Sequence, residues 1–172
     1  MGYARRTALI LAIALAGIGC RTVPIPPPTV IDVPPRLTGQ QVELAVIAGI
    51  LNTRPPRSYD PTHELSQADF DAMLVRDFLA TAHGHSWFPE ARQGDIRYAT
   101  VDTRGHYLRV AIHMNTQQLR IEIVESRNLM QSDGVIHKTV ISWIANLESH
   151  IRRELGRMAS YGTAQTAPPQ TR

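Results

Sequence analysis

The chain has 172 residues, 43% of them apolar, and a formal net charge of +3. That length fits one domain with a core of its own, and so small a charge gives no general basic field for nucleic acid. A single cysteine excludes an internal disulfide.

Met1 to Thr7 holds Arg5 and Arg6, Ala8 to Ala16 is unbroken apolar sequence, and Gly17, Ile18 and Gly19 lead to Cys20. A charged start, a short apolar run and small residues make a secretory leader, and the run falls short of the roughly 20 residues of a spanning helix. Its end resembles a bacterial lipoprotein signal, in which the cysteine becomes lipidated; Gly17 stands where leucine is usual, and Ile18 and Gly19 fit the next two places. The resemblance implies a leader over 1–19 and a membrane attachment through lipid, palmitate included, at Cys20. Removing Arg5 and Arg6 with the leader leaves a charge of about +1. The arginine pair lacks the surrounding pattern of twin-arginine export. By resemblance to Gram-negative lipoproteins, Arg21 in place of an aspartate implies the periplasmic face of the outer membrane.

Arg21 to Arg36 contains Pro24, Pro26, Pro27, Pro28, Pro34 and Pro35. That density prevents helix and predicts extended polyproline II, a linker over 20–36 able to hold a domain roughly 50 Å from the lipid at ~3.1 Å per residue. The domain itself is expected over 37–158. Thr38 and Gln41 have capping-box spacing, and Val42, Ala45, Val46 and Ile50 recur at helical intervals, so a helix is expected from Gln40 to Leu51. Gly49 weakens that pattern, because glycine costs up to ~1 kcal/mol in a helix. Ser66 and Asp69 repeat the cap-like spacing before Phe70, Met73 and Leu74, and this second helix is expected to end near His83 and Gly84. Trp87 and Phe88 begin a short edge strand that Pro89 should halt.

Three alternating segments follow, Asp95 to Asp102, Tyr107 to Met114 and Gln118 to Glu125, separated by Thr103–Gly105 and by Asn115 and Thr116. Their period of two predicts an antiparallel meander, with Leu108, Val110, Ile112, Leu119, Ile121 and Ile123 on the covered face. Tyr107, Arg109, His113, Arg120 and Glu122 fall on the opposite face, where Tyr and Arg are the residue types that most often dominate protein interfaces. Ile136, Val140, Trp143, Ile144, Leu147, Ile151 and Leu155 share one stripe of a last, amphipathic helix. Residues 159–172 are small and polar and predict a disordered tail. The fold class is α+β: a meander of three or four strands packed against a C-terminal amphipathic helix and one or two N-terminal helices.

Ser126, Asn128, Leu129, Ile136, His137, Trp143 and Leu147, with Trp87, Gly94 and Ile96 upstream, resemble the pattern of an uncharacterised group of small bacterial envelope lipoproteins. The chain carries Gln131, Val140 and Ile141 where that group has tyrosine, tyrosine and asparagine. The resemblance implies lipidation and a small α+β fold, and it implies no activity.

Two constellations could carry chemistry. Ser126 and His137, oriented by Asp133, would make a hydrolase if geometry joined them; the structural reading is a strand end and a helix start. His83 and His85, with His63 and Glu90, would make a metal or small-ligand carrier, against the reading of an exposed loop. Trp87 and Trp143 read as core, and Arg152, Arg153 and Arg157 as a solvated helix face suited to the dipole. The expectation is therefore a lipid-anchored envelope protein with a non-enzymatic binding or structural domain and an envelope protein as partner. It assigns no catalytic residue, metal ligand or cofactor.

Overall fold

A computed structural model describes residues 22–56, 59–60, 63–77, 87–129 and 133–164, with side chains as far as Tyr161. In chain order its elements are β1 (Thr22–Pro24), β2 (Thr29–Asp32), α1 (Gly39–Ile50), α2 (Gln67–Asp77), β3 (Phe88–Gln93), β4 (Ile96–Thr103), β5 (His106–Met114), β6 (Gln118–Arg127), β7 (Val135–His137) and α3 (Thr139–Ala164). The fold is α+β. Five antiparallel strands run in the order β2-β6-β5-β4-β3, β1 and β7 form a separate ribbon, and the C-terminal helix packs against the sheet.

The meander is built by its turns. Arg104 and Gly105 both take positive φ (51° and 77°), the geometry that closes a two-residue hairpin between β4 and β5 without opposing strand twist. Between β5 and β6 the Asn115 Oδ1 accepts the amides of Gln117 and Gln118 at 2.8 and 2.7 Å. The inward residues Leu108, Val110, Ile112, Leu119 and Ile121 are all buried, and Ile123 packs against them, as the alternation requires.

The capping box of α1 is present in both directions: Thr38 Oγ1 accepts the Gln41 amide at 3.2 Å, and Gln41 Oε1 accepts the Thr38 amide at 2.9 Å. Every residue from Gln41 to Ile50 is buried. A helix apolar on nearly all sides must lie inside the molecule, and α1 is packed against α3. Gly49 is what permits the approach, because a Cβ there would lie 2.7 Å from the Ile151 Cα. The glycine that weakens the helix on propensity thus secures its packing. Helix α3 buries Val140, Ile144, Leu147, Ile151, Leu155 and Met158 as one stripe. Ser66 caps α2 by accepting the Asp69 amide at 3.2 Å, and Phe70, Met73 and Leu74 face inward.

Several expectations are corrected. The proline-rich stretch is extended, but it is not a free spacer from Thr22 onward. Thr22–Pro24 pairs with Val135–His137, and Thr29–Asp32 pairs with Gln118–Ile121 as a sheet edge, with Ile31 fully buried. Backbone amides between the prolines remain free to join ladders, and an extended chain is already shaped for one. Pro89 does not halt β3 but lies within it, opposite Ala99, which an edge strand allows. Ile136 and His137 belong to β7 and not to the helix, which starts at Thr139. The helix also continues through Ala159–Ala164, with Ala159 still packed against the core beyond Met158. The expected ends of α2 and of the tail lie outside the described residues.

Candidate functional site

The sheet face turned away from the helices is assembled in cross-strand rows. Thr100, Arg109 and Glu125 form one, Asp102, Tyr107 and Arg127 a second, Tyr98, Ala111 and Glu122 a third, and Ile96, His113, Arg120 and Val30 a fourth. All five residues expected on this face, Tyr107, Arg109, His113, Arg120 and Glu122, are there. A bulge in β6 leaves Val124 without a β5 partner and resets the parity, so Glu125 and Arg127 join them.

The face is held by its own charges. Arg109 binds Glu90 through both Nε (3.0 and 3.1 Å) and Nη2 (2.7 Å), a forked pairing that fixes the guanidinium plane. The hydrogen bond to Glu90 is also the main reason the pKa of Arg109 is raised above its ordinary value. The same guanidinium lies over the Tyr98 ring, 4.0 Å from its centroid, and Arg127 covers Tyr107 at the same distance. Glu122 receives His113 Nε2 at 2.9 Å and Arg120 Nη2 at 2.6 Å, and Arg127 reaches Glu125 at 3.4 Å. Three arginines thus meet three glutamates, and the apolar side chains of Val30, Val124 and Phe88 are exposed around them. Such a surface can recognise a partner by shape, stacking and directed hydrogen bonds. Sequence alternation missed Tyr98, Glu90 and Arg127. Tyr98 shares the parity of Ile96, whereas the other two depend on bulges that alternation alone does not reveal.

Behind the sheet lies a second polar cluster. Glu43 of α1, 2% exposed, binds Arg97 of β4 and, at 2.5 Å, Arg92 of β3. Arg97 is itself buried, donates Nη1 to the Glu90 carbonyl at 2.8 Å, and keeps an Nε with no partner. Glu154 of α3, wholly buried, is matched in the same way by Arg153 and Arg157. The helical arginines are therefore not simply solvated: Arg152 donates to the Val30 carbonyl at 3.0 Å and Arg153 to Asn52 Oδ1 at 2.9 Å, tying α3 to β2 and to the end of α1.

The other constellations fare differently. His137 accepts the Thr139 amide on Nδ1 at 3.3 Å. A neutral ring so placed carries its proton on Nε2, the reverse of the tautomer a triad base uses. Asp133 occupies a positive-φ turn with Gly134, and Ser126 stands opposite Leu108. Leu129, Ile136 and Leu147 of the lipoprotein-like pattern are core, and Asn128 donates to the Gly105 carbonyl at 2.7 Å, so that pattern has structural work to do here. Trp87 is buried and Trp143 packs against the core. Cys20, His83 and His85 lie outside the described residues. Among the described residues no group of three His, Cys, Asp or Glu could hold a metal, and no helix is long and apolar enough to cross a membrane.

With the α+β fold and this face in hand, comparison with protein families, curated proteins and solved structures finds no match.

Proposed function

We propose that this is a lipid-anchored protein of the bacterial cell envelope, attached through Cys20 at the periplasmic face of the outer membrane. Its folded domain is a non-enzymatic binding module that engages an envelope protein through the open sheet face. The leader-like segment ending at Cys20 supports the anchor. The observation that carries the binding reading is the pair of arginines held over tyrosines, Arg109 on Tyr98 and Arg127 on Tyr107. Side chains already fixed by stacking and, at Arg109, by a forked ion pair lose little freedom when a partner arrives, so their contacts convert more fully into affinity.

The test is crosslinking in intact cells followed by thermal melts of the same variants. Replacing Tyr107 and Arg109 with Ala should cost about 2 kcal/mol or more of partner affinity while the domain stays folded. Undiminished crosslinking by that folded variant rejects the face. Cys20→Ala should abolish palmitate labelling, and labelling that persists rejects the anchor independently.

A further inference from the structure

A cleft of about 440 Å³ opens between α2 and the edge strand β3. That volume lies within the ~300–1,000 Å³ usual for small-ligand sites. Ile47 forms part of its floor, Leu74 and Val75 of α2 one wall, and Phe88, Pro89 and Ala91 of β3 the other. Val75 and Phe88 are 59% and 50% exposed, so the mouth of the cleft is apolar as well as its interior.

The polar groups are confined and unequal. Glu43 is a single carboxylate serving two guanidinium groups, so that cluster keeps one positive charge. Arg92 is 39% exposed along its side chain, spends Nε on the Gly94 carbonyl and Nη1 on Glu43, and has no partner for Nη2 among the described residues. Glu90 is turned onto Arg109. Asp71 on the α2 wall is held by Gln67 at 3.0 Å and makes no ion pair with Arg92, so it opposes a second negative charge on anything entering. The β3 edge is a poor template for an added strand: Pro89 offers no amide donor, and the register breaks between Pro89 and Arg92.

We propose that this cleft binds an aliphatic monocarboxylate of the fatty-acid class, with the chain against Leu74, Val75 and Phe88 and the carboxylate on Arg92 Nη2. The apolar walls supply the affinity and the arginine sets the orientation.

The test is calorimetric titration of the full chain, kept unlipidated by Cys20→Ser, with dodecanoate below its micelle concentration. Dodecanoate should bind saturably at one per chain. Dodecanol should bind weaker by roughly tenfold, the loss of one charge-assisted hydrogen bond. Arg92→Gln should bring the two ligands to parity, and Val75→Trp, at an exposed rim position, should block both. Absence of saturable dodecanoate binding overturns the proposal, as does equal binding of dodecanol to the unaltered cleft or binding that survives Val75→Trp. Should Arg92→Gln fail to fold, the comparison of the two ligands on the unaltered cleft still decides. An extended apolar peptide that displaces dodecanoate at lower concentration would overturn it in favour of strand addition.

Discussion

Replacing Glu43 with Gln keeps the size and removes the charge at the one point, among the described residues, where helix and sheet are joined by ions. In the folded chain this carboxylate is 2% exposed and faces Arg97, whose side chain is 9% exposed. Arg92 can swing its head into water when its partner is lost, since its side chain is already 39% exposed. Arg97 cannot, and its Nε already lacks a partner. Removing one member of a buried ion pair costs about 3–5 kcal/mol, because the charge left behind stays desolvated. For a domain of this size that is a fall in Tm on the order of 10–20 °C. Urea unfolding of Glu43→Gln, alone and combined with Arg97→Met, measures it. The double variant should recover most of the loss, since well-packed apolar groups replace buried ions at little cost. A Glu43→Gln variant within about 0.5 kcal/mol of the parent would show that the cluster is hydrated in solution and refute the reasoning.

Gly49→Ala should destabilise by about 1–3 kcal/mol despite alanine's helix propensity, because the new Cβ meets the Ile151 backbone at 2.7 Å; a raised midpoint in chemical denaturation would show that α1 and α3 separate without penalty. The pKa of His150 is lowered from its ordinary 6.5 by burial first and by Arg153 second. Protonation therefore favours the unfolded chain, and the stability this ring permits is whole above about pH 6.5 and falls as the pH drops below it. His150→Gln should flatten the decline in urea midpoint between about pH 7 and 5, and an unchanged slope would remove His150 from the account.

The elements that could be read from sequence were those whose signal is local. The Thr38–Gln41 box needs four residues to declare itself, and the alternation along β5 and β6 is spelled out in place. What escaped depends on distant pairing. Nothing between Thr22 and Asp32 distinguishes a polyproline spacer from two strands, because the partners lie near residues 120 and 136 and both states are extended. Ile136 fits the apolar stripe of α3 by spacing, yet its pairing with Val23 draws it into a strand. Arg97 sits on the inward parity of β4 with Ala99 and Val101, and only the location of Glu43 on a buried helix explains how a guanidinium is tolerated there. The open sheet face was legible as far as regular alternation held and was lost at the bulges beside Glu90 and Val124.

The ribbon of β1 and β7 bears on how the domain would sit on a membrane. Cys20 precedes Thr22 by two residues, a span of at most ~7 Å, and Thr22 is clamped opposite His137. With lipid on Cys20 there is no long leash: the body would ride against the headgroups, with the His137 end of the ribbon and the start of α3 closest to them. Tumbling would be reduced to rotation about the membrane normal and a limited tilt. Whatever meets the open sheet face would then have to approach along the bilayer surface, so encounters would be governed by diffusion in two dimensions and by the height of the partner above the same leaflet.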